Sequence, residues 1–137
     1  MTTIIADPAH VLAEKLVAFV ETGQPPAGLF RDDVFCDFTM PRWRLQAVGN
    51  DDVVALRRNG HSSPGRVLRS RVDSTPSGFV LEVEETWEQT GDQWYCRELF
   101  RGDVTDGAIS ELSVYCTGDW DSARMAEHAA TVALIRP

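Results

Sequence analysis

The chain has 137 residues, of which 43% are apolar and 25% are charged, and its formal net charge is −8. A chain of this length buries about two thirds of its unfolded surface, so it predicts one domain that folds without disulfide or metal. Nucleic acid and anionic membranes carry negative phosphates, and the acidic composition therefore predicts neither as a partner. The longest apolar runs are shorter than the ~20 residues that span a bilayer.

Targeting and metal signals are weak. Residues 1–6 lack the basic segment and apolar run of a secretory signal, which favours a cytoplasmic location. Cys36, Cys96 and Cys116 are an odd number without a CxxC pair, and this pattern argues against a disulfide framework and a Cys-based zinc site. The three histidines show no HxH or HExxH spacing. We therefore expect no metal.

The first half of the chain predicts two helices and one strand. Asp7 is followed by proline, which is typical of a helix start because proline has no N–H to leave unpaired. Apolar residues then recur at spacings of three and four until Gly23. Residues 34–39 alternate as a strand does. A short helix is predicted to begin at Asn50 and end at Gly60.

The second half changes to a period of two. Strands are predicted at residues 66–73, 79–88, 94–104 and 108–117. Turn-forming clusters of hairpin length separate them, which favours an antiparallel meander. A third helix follows, with Asp119 and Asp121 interpreted as caps. The whole chain, residues 1–137, is predicted to be one α+β domain.

Three segments carry a resemblance to a known family: LFRDDV at residues 29–34, GNDD at residues 49–52 and DVTDGAI at residues 103–109. With the order of the elements, they resemble the nuclear transport factor 2-like superfamily. The resemblance implies a curved antiparallel sheet that wraps around N-terminal helices and forms a cone with a central pocket. It also implies a homodimer through the open sheet face.

The resemblance does not carry over a known mechanism. Ketosteroid isomerases of this superfamily use a general-base Asp on the first strand, a protonated Asp and a Tyr. The segments above register Phe38 and Leu99 at the two Asp positions and Leu16 near the Tyr position. Leu99 also lacks the carboxylate of the Arg-x-Asp element in the epoxide hydrolases, although Arg97 occupies its Arg position. The polar groups of both mechanisms are incomplete.

Glu85 is the leading candidate for acid/base chemistry. Side chains alternate along a strand, so one face of residues 79–88 is apolar except for Glu85. By the resemblance, this apolar face is the concave one. Apolar surroundings disfavour the charged form, so they would raise the pKa of Glu85 toward the range useful in catalysis. The alternative interpretation places Glu85 at the sheet rim, solvated or paired.

The register of the next hairpin decides the partner of Glu85. A three-residue loop at residues 90–92 would set Glu85 opposite Arg97 and form a cross-strand ion pair. A shorter turn shifts the register by one residue and sets Glu85 toward Cys96. Arg97 is a candidate anchor or electrophile for a ligand. The alternative is a structural salt bridge.

Further residues are candidates for ligand binding. The expected pocket walls are Phe38, Trp43, Trp87 and Leu99, together with Cys116 as a small apolar residue. His61 has a suitable intrinsic pKa for proton transfer. The alternatives are a surface position for His61 and a place in the core or a dimer interface for Trp43.

The sequence therefore predicts a cytoplasmic protein of the SnoaL-like kind that works without a cofactor. It would bind a mostly apolar small molecule and catalyse an isomerisation, cyclisation or dehydration, with Glu85 as the acid/base and Arg97 as the anchor. The alternative is a non-catalytic module for ligand binding or protein association. The absence of the ketosteroid isomerase acids favours this alternative.

Overall fold

The computed structural model describes residues 7–136, so residues 1–6, for which no targeting signal is predicted, lie outside the described part. Its elements in chain order are α1 (Pro8–Thr22), β1 (Phe30–Thr39), β2 (Arg44–Val48), α2 (Asn50–Gly60), β3 (Gly65–Ser74), β4 (Gly78–Gln89), β5 (Asp92–Thr105), β6 (Ala108–Cys116) and α3 (Ser122–Thr131). The predicted α+β class is confirmed. Within residues 7–136, no helix is both long and apolar enough to cross a membrane.

The six strands form one curved, unclosed sheet in the order β2-β1-β6-β5-β4-β3. The predicted curved antiparallel sheet is formed, with one parallel pair, β1 and β6, among its neighbours. β1 and β6 are far apart in the chain, and no tight hairpin forces them to run in opposite directions.

The sequence prediction also missed β2. Four of the five residues in this edge strand are exposed and Ala47 is half-buried. Polar and apolar residues alternate over only four positions, which is the shortest run that indicates a strand. Its pairing with β1 sets Leu45 opposite Phe38. β2 thereby extends the sheet beside the pocket described below.

The two N-terminal helices cover the concave face of the sheet. Asp7 caps α1 by accepting a hydrogen bond from the Ala9 backbone N–H at 2.9 Å, and Gly23 ends it with a φ of 75°. The apolar stripe of α1 is buried and packs against β3 and β4. α2 packs against β1 and β2. These contacts confirm the predicted wrapping of the sheet around the helices.

The β4–β5 hairpin has a two-residue turn. Thr90 and Gly91 both have positive φ, at 53° and 76°, as a tight hairpin with the right-handed strand twist requires. Gln89 therefore pairs with Asp92, and Glu85 lies opposite Cys96. Of the two registers considered, the shorter turn is the one formed. Its effect is to turn Arg97 away from the face that carries Glu85.

The chain after β6 continues along β5. The Thr117 N–H donates to the Arg97 carbonyl at 3.0 Å, and Tyr95 and Trp120 exchange backbone hydrogen bonds at 2.9 and 2.8 Å. Asp121 then caps α3 by accepting from the Arg124 N–H at 2.8 Å, as predicted. Asp119 does not cap this helix, which corrects the prediction.

Candidate active site

A cavity of about 320 Å³ lies between α2 and the concave face of the sheet, at the small end of ligand pockets. One part of its wall is apolar and is formed by Phe38, Met40, Leu45 and Leu56. The remaining wall is formed by Arg57, Asn59, Gly60, His61, Glu85, Cys96, Glu98, Cys116 and Asp119. An apolar chamber with a polar group of side chains on one side suits a small molecule that carries few polar atoms.

Arg57 joins two buried carboxyl groups in this wall. It extends from α2, and its Nη2 donates to Glu85 Oε1 and Oε2 at 2.9 and 3.1 Å, while its Nη1 donates to Glu98 Oε1 at 3.3 Å. The Glu85 and Glu98 side chains are 0% and 1% exposed, and Arg57 is 10% exposed. The two glutamates come from β4 and β5, whose hairpin register sets them diagonally on the same face.

The two buried carboxyls hold one proton between them, beside the charged Arg57 guanidinium. Burial, a hydrogen bond to Glu98 and the negative charge of Glu98 raise the pKa of Glu85, and Arg57 offsets this only in part. Burial would also raise the pKa of Glu98, but Arg57 and the hydrogen bonds from Glu85 and Cys96 outweigh it and lower that pKa. At neutral pH Glu85 is therefore the acid, and Glu98 is the carboxylate that Arg57 neutralises.

His61 faces this group from the end of α2. Its Nδ1 lies 3.0 Å from Arg57 Nη2, and because a guanidinium only donates, Nδ1 accepts and the ring proton is on Nε2. Burial and the positive charge of Arg57 lower the pKa of His61 to about 4. His61 is thus a buried neutral ring, not a surface histidine.

The His61 Nε2–H has no hydrogen-bond partner among residues 7–136, and the same holds for Trp87 Nε1–H. The two rings meet edge to face, with centroids 3.9 Å apart. Buried polar groups normally find a partner. His61 lines the cavity, but its Nε2 atom is itself buried, so this N–H is not presented to the cavity.

Four predicted site residues line the cavity: Phe38, His61, Glu85 and Cys116. Trp87, also predicted for the site, does not line the cavity but is buried and packs against the ring of His61. The structure thus brings together residues from β1, β4, the end of β6 and the loop after α2.

The structure corrects the prediction for Arg97, which lies outside the cavity. The two-residue turn places it on the outer face, where its Nη2 is 3.0 Å from Glu82 Oε1 and its Nε is 3.5 Å from Glu84 Oε1. Its side chain is 52% exposed. This geometry is a surface ion pair, which was the alternative interpretation.

Leu99 and Trp43 also lie outside the cavity. Leu99 is on the same outer face, opposite Tyr115, so the registration based on the resemblance was one residue too far along β5. Glu98 is the residue that faces inward. Trp43 is 66% exposed in the connection between β1 and β2 and forms no cavity wall.

Arg57, Glu98 and Asp119 line the cavity although none of them was predicted as a site residue. Glu98 carried a usable signal, because it is the single carboxylate between the inward-facing Cys96 and Phe100, as Glu85 is on β4. No sequence signal marks Arg57 as a site residue, since a basic residue in the last turn of a short polar helix is normally solvated.

Comparisons with known proteins bear on the fold. No protein-family profile and no curated protein sequence matches the chain. Solved structures do match: a nuclear transport factor 2-like protein from Anabaena variabilis ATCC 29413 is 19% identical, with a TM-score of 0.68 over 87% of this chain and 96% of that chain.

Two further similar structures have names that suggest an activity. A candidate isomerase from Rhodopseudomonas palustris is 14% identical, with a TM-score of 0.63 over 94% of this chain and 100% of that chain. A candidate polyketide cyclase from Xanthomonas campestris pv. campestris is 14% identical, with a TM-score of 0.62 over 79% of this chain and 89% of that chain. Similarity at this level establishes architecture and not chemistry. The chain has the nuclear transport factor 2-like fold that the resemblance in its sequence predicted.

Proposed function

We propose that the protein is an acid/base enzyme that isomerises, cyclises or dehydrates an uncharged, mostly apolar small molecule. The observation that carries the proposal is the pair of carboxyl groups, joined by buried Arg57, in the wall of a cavity whose opposite side is apolar. One member of the pair holds a proton and the other is ionised, which is the arrangement that general acid/base catalysis needs.

The two glutamates can donate one proton to the substrate and accept one proton from it. In an isomerisation, Glu85 donates its proton to a substrate carbonyl oxygen while the Glu98 carboxylate removes a proton from the adjacent carbon, which gives an enol. The reverse transfers at another carbon return both glutamates to their starting states. In a dehydration, Glu85 protonates the departing hydroxyl and Glu98 takes the proton from the neighbouring carbon.

The charges in the cavity wall favour a neutral substrate. Arg57 and Glu98 cancel, while protonated Glu85 and neutral His61 add no charge. The carboxyl of Asp119, when it is ionised, repels an anionic ligand. Phe38 and the other apolar walls then select for hydrocarbon surface.

The test is proton transfer to and from carbon. The protein is incubated in deuterium oxide with a panel of uncharged ketones, starting from β-tetralone, and deuterium uptake beside the carbonyl is followed by NMR. Glu85→Gln and Glu98→Gln should each lower the rate by at least ~100-fold, because neither amide can complete the proton cycle.

Glu84→Gln is the matched control. Glu84 is the adjacent residue on β4, faces outward and pairs with Arg69. Exchange that is equal in Glu85→Gln and in the unaltered protein would refute the proposal, as would no exchange above buffer across the panel. Thermal unfolding of each variant separates loss of chemistry from loss of fold.

A second candidate function is ligand binding without chemistry. It is favoured by the near-complete burial of both glutamates and by the many partners of Arg57, which also donates to the Val20 carbonyl at 3.1 Å. Such a network can be structural. Native mass spectrometry that finds a neutral metabolite bound and unchanged, with no exchange in the assay above, would support this candidate.

A further inference from the structure

A second group of chemically active side chains lies in the wall of the same cavity. The Sγ atoms of Cys96 and Cys116 and a carboxylate oxygen of Asp119 all lie within 4.8 Å of one another. All three residues line the cavity. The fold therefore brings together two of the three cysteines, although nothing in their sequence spacing indicates it.

A bulge in the sheet places Asp119 in this group. Residues three apart on a regular strand face opposite sides, so Cys116 and Asp119 would not meet. Glu98 pairs with Cys116, and Tyr95 bridges to Trp120. On β5, two residues (96–97) thus lie between the paired positions. On the segment after β6, three residues (117–119) lie between their partners. The extra residue turns Asp119 back to the side that Cys116 faces.

Gly118 is the residue that makes this bulge. Its φ is 85°, which other residues rarely adopt, and a Cβ there would lie 2.9 Å from Pro41 Cγ. The position therefore requires glycine for two independent reasons. Bulges that redirect a side chain are frequent next to functional sites.

The spacing of the thiols suits a shared ion better than a disulfide. Cys96 and Cys116 are diagonal neighbours on β5 and β6, and such positions are typically ~7–8 Å apart, beyond the Cα separation of most disulfides. Two thiolates bound to one tetrahedral zinc ion have sulfurs ~3.8 Å apart, given Zn–S bonds of ~2.3 Å. That separation lies inside the observed 4.8 Å limit.

We propose that Cys96, Cys116 and Asp119 bind a thiophilic divalent cation of the zinc type, with the fourth coordination position facing the cavity. Two thiolates and a carboxylate are a ligand set that zinc accepts. Binding releases the two thiol protons to solvent and leaves the site with one negative charge, which the nearby Arg57 guanidinium attracts. Cys96 then gives up its contacts with Glu85 and Glu98, at 3.5 and 3.6 Å.

The test uses Co²⁺, whose thiolate complexes absorb light. Untagged protein, reduced and freed of metal by a chelator, is titrated with Co²⁺ while its absorption is recorded. We expect one Co²⁺ per chain, a sulfur-to-cobalt charge-transfer band and the visible bands of a tetrahedral ion. Zn²⁺ should abolish these bands by displacing Co²⁺.

Variants assign the ligands. Cys116→Ser should weaken Co²⁺ binding at least tenfold and halve the charge-transfer intensity, and Asp119→Asn should weaken binding while both sulfur contributions remain. Cys36→Ser, which alters the third cysteine, in the core on β1, is the matched control and should bind as the unaltered protein does.

Two results would overturn the metal site. One is the lack of a charge-transfer band at millimolar Co²⁺ in protein that is folded and fully reduced. The other is a Cys116→Ser variant with the spectrum and affinity of the unaltered protein. Deuterium exchange by the metal-free protein tests the acid/base proposal separately, so failure of one proposal is distinguishable from failure of the other.

Discussion

Arg57 is the residue on which the buried charges depend. It supplies the positive charge for Glu98, the hydrogen bonds for Glu85 and the donor that fixes the tautomer of His61. Breaking a buried ion pair by removing one partner is far more costly than breaking an exposed pair. The stability of the site and its protonation states are therefore set by the same side chain.

We predict that Arg57→Met lowers the free energy of unfolding by about 3 kcal/mol, since Glu98 is left without its counter-charge. Chemical denaturation measures the change. Arg58→Met, at the exposed neighbouring position, should change stability by less than about 0.5 kcal/mol. Adding Glu98→Gln to Arg57→Met should restore part of the loss. An equal loss in the two arginine variants would contradict the prediction.

His61 predicts a specific pH dependence. Its pKa falls from an ordinary 6.5 to about 4 in the folded protein, because burial and Arg57 disfavour the imidazolium, while Glu98 opposes the shift only in part. Between these values the unfolded chain binds more protons than the folded chain. The stability that comes from neutral His61 is thus full above pH 6.5 and is lost as pH falls toward 4.

The comparison that isolates this effect is between the unaltered protein and His61→Gln. The free energy of unfolding of the unaltered protein should fall relative to the variant by up to about 3 kcal/mol as pH drops across this window. Parallel curves for the two proteins, measured by denaturation at several pH values, would contradict the buried neutral histidine.

At the scale of secondary structure, the β4–β5 hairpin decides which side chains reach the cavity. The alternation of apolar and polar residues predicted both strands but left their register open. Asn or Gly at position 90 would have indicated a two-residue turn with positive φ, whereas Thr90 does not. A difference of one residue in the turn exchanges every inward and outward side chain of β5. The open register is why Arg97 was expected opposite Glu85. The registration on the family segments, one residue too far along β5, is why Leu99 was expected in the site in place of Glu98.

The same turn carries a prediction. Thr90 is β-branched and has a φ of 53°, which is strained for such a residue. Thr90→Asn should raise the free energy of unfolding by up to ~1 kcal/mol, because Asn adopts this conformation at lower cost. Thr90→Val keeps the branched shape and should give no gain. A loss of stability in Thr90→Asn would show that the turn is not under strain.

At the scale of the whole molecule, the outer face of the sheet is covered only in part, by α3 and the segment after it. Its exposed apolar side chains include Leu99, at 39% exposure, and Tyr115, at 57%, on adjacent strands. We propose that two copies of the chain associate through this outer face, as the family resemblance implies. Apolar neighbours on one exposed surface are typical of an interface.

Sedimentation equilibrium tests the dimer. The unaltered protein should sediment as a dimer, and Leu99→Arg should shift it to a monomer with an unchanged fold, since a charge at the centre of the face opposes burial. Val11→Arg, which alters an exposed apolar residue on α1, at the other face of the sheet, is the control and should remain dimeric. A monomeric unaltered protein at high concentration would refute the proposal.

The parallel pairing of β1 with β6 has a consequence for how the chain folds. β6 lies between the hairpin β1–β2 and the meander β3–β5, so it is the only strand that joins them within the sheet. Phe38 and Leu45 belong to the first group, and Glu85 and Glu98 to the second. A nascent chain that ends before Ala108 thus holds both halves of the cavity wall with no sheet between them. Contacts over so long a sequence separation form slowly, so we expect the cavity to close only after β6 has paired with both groups.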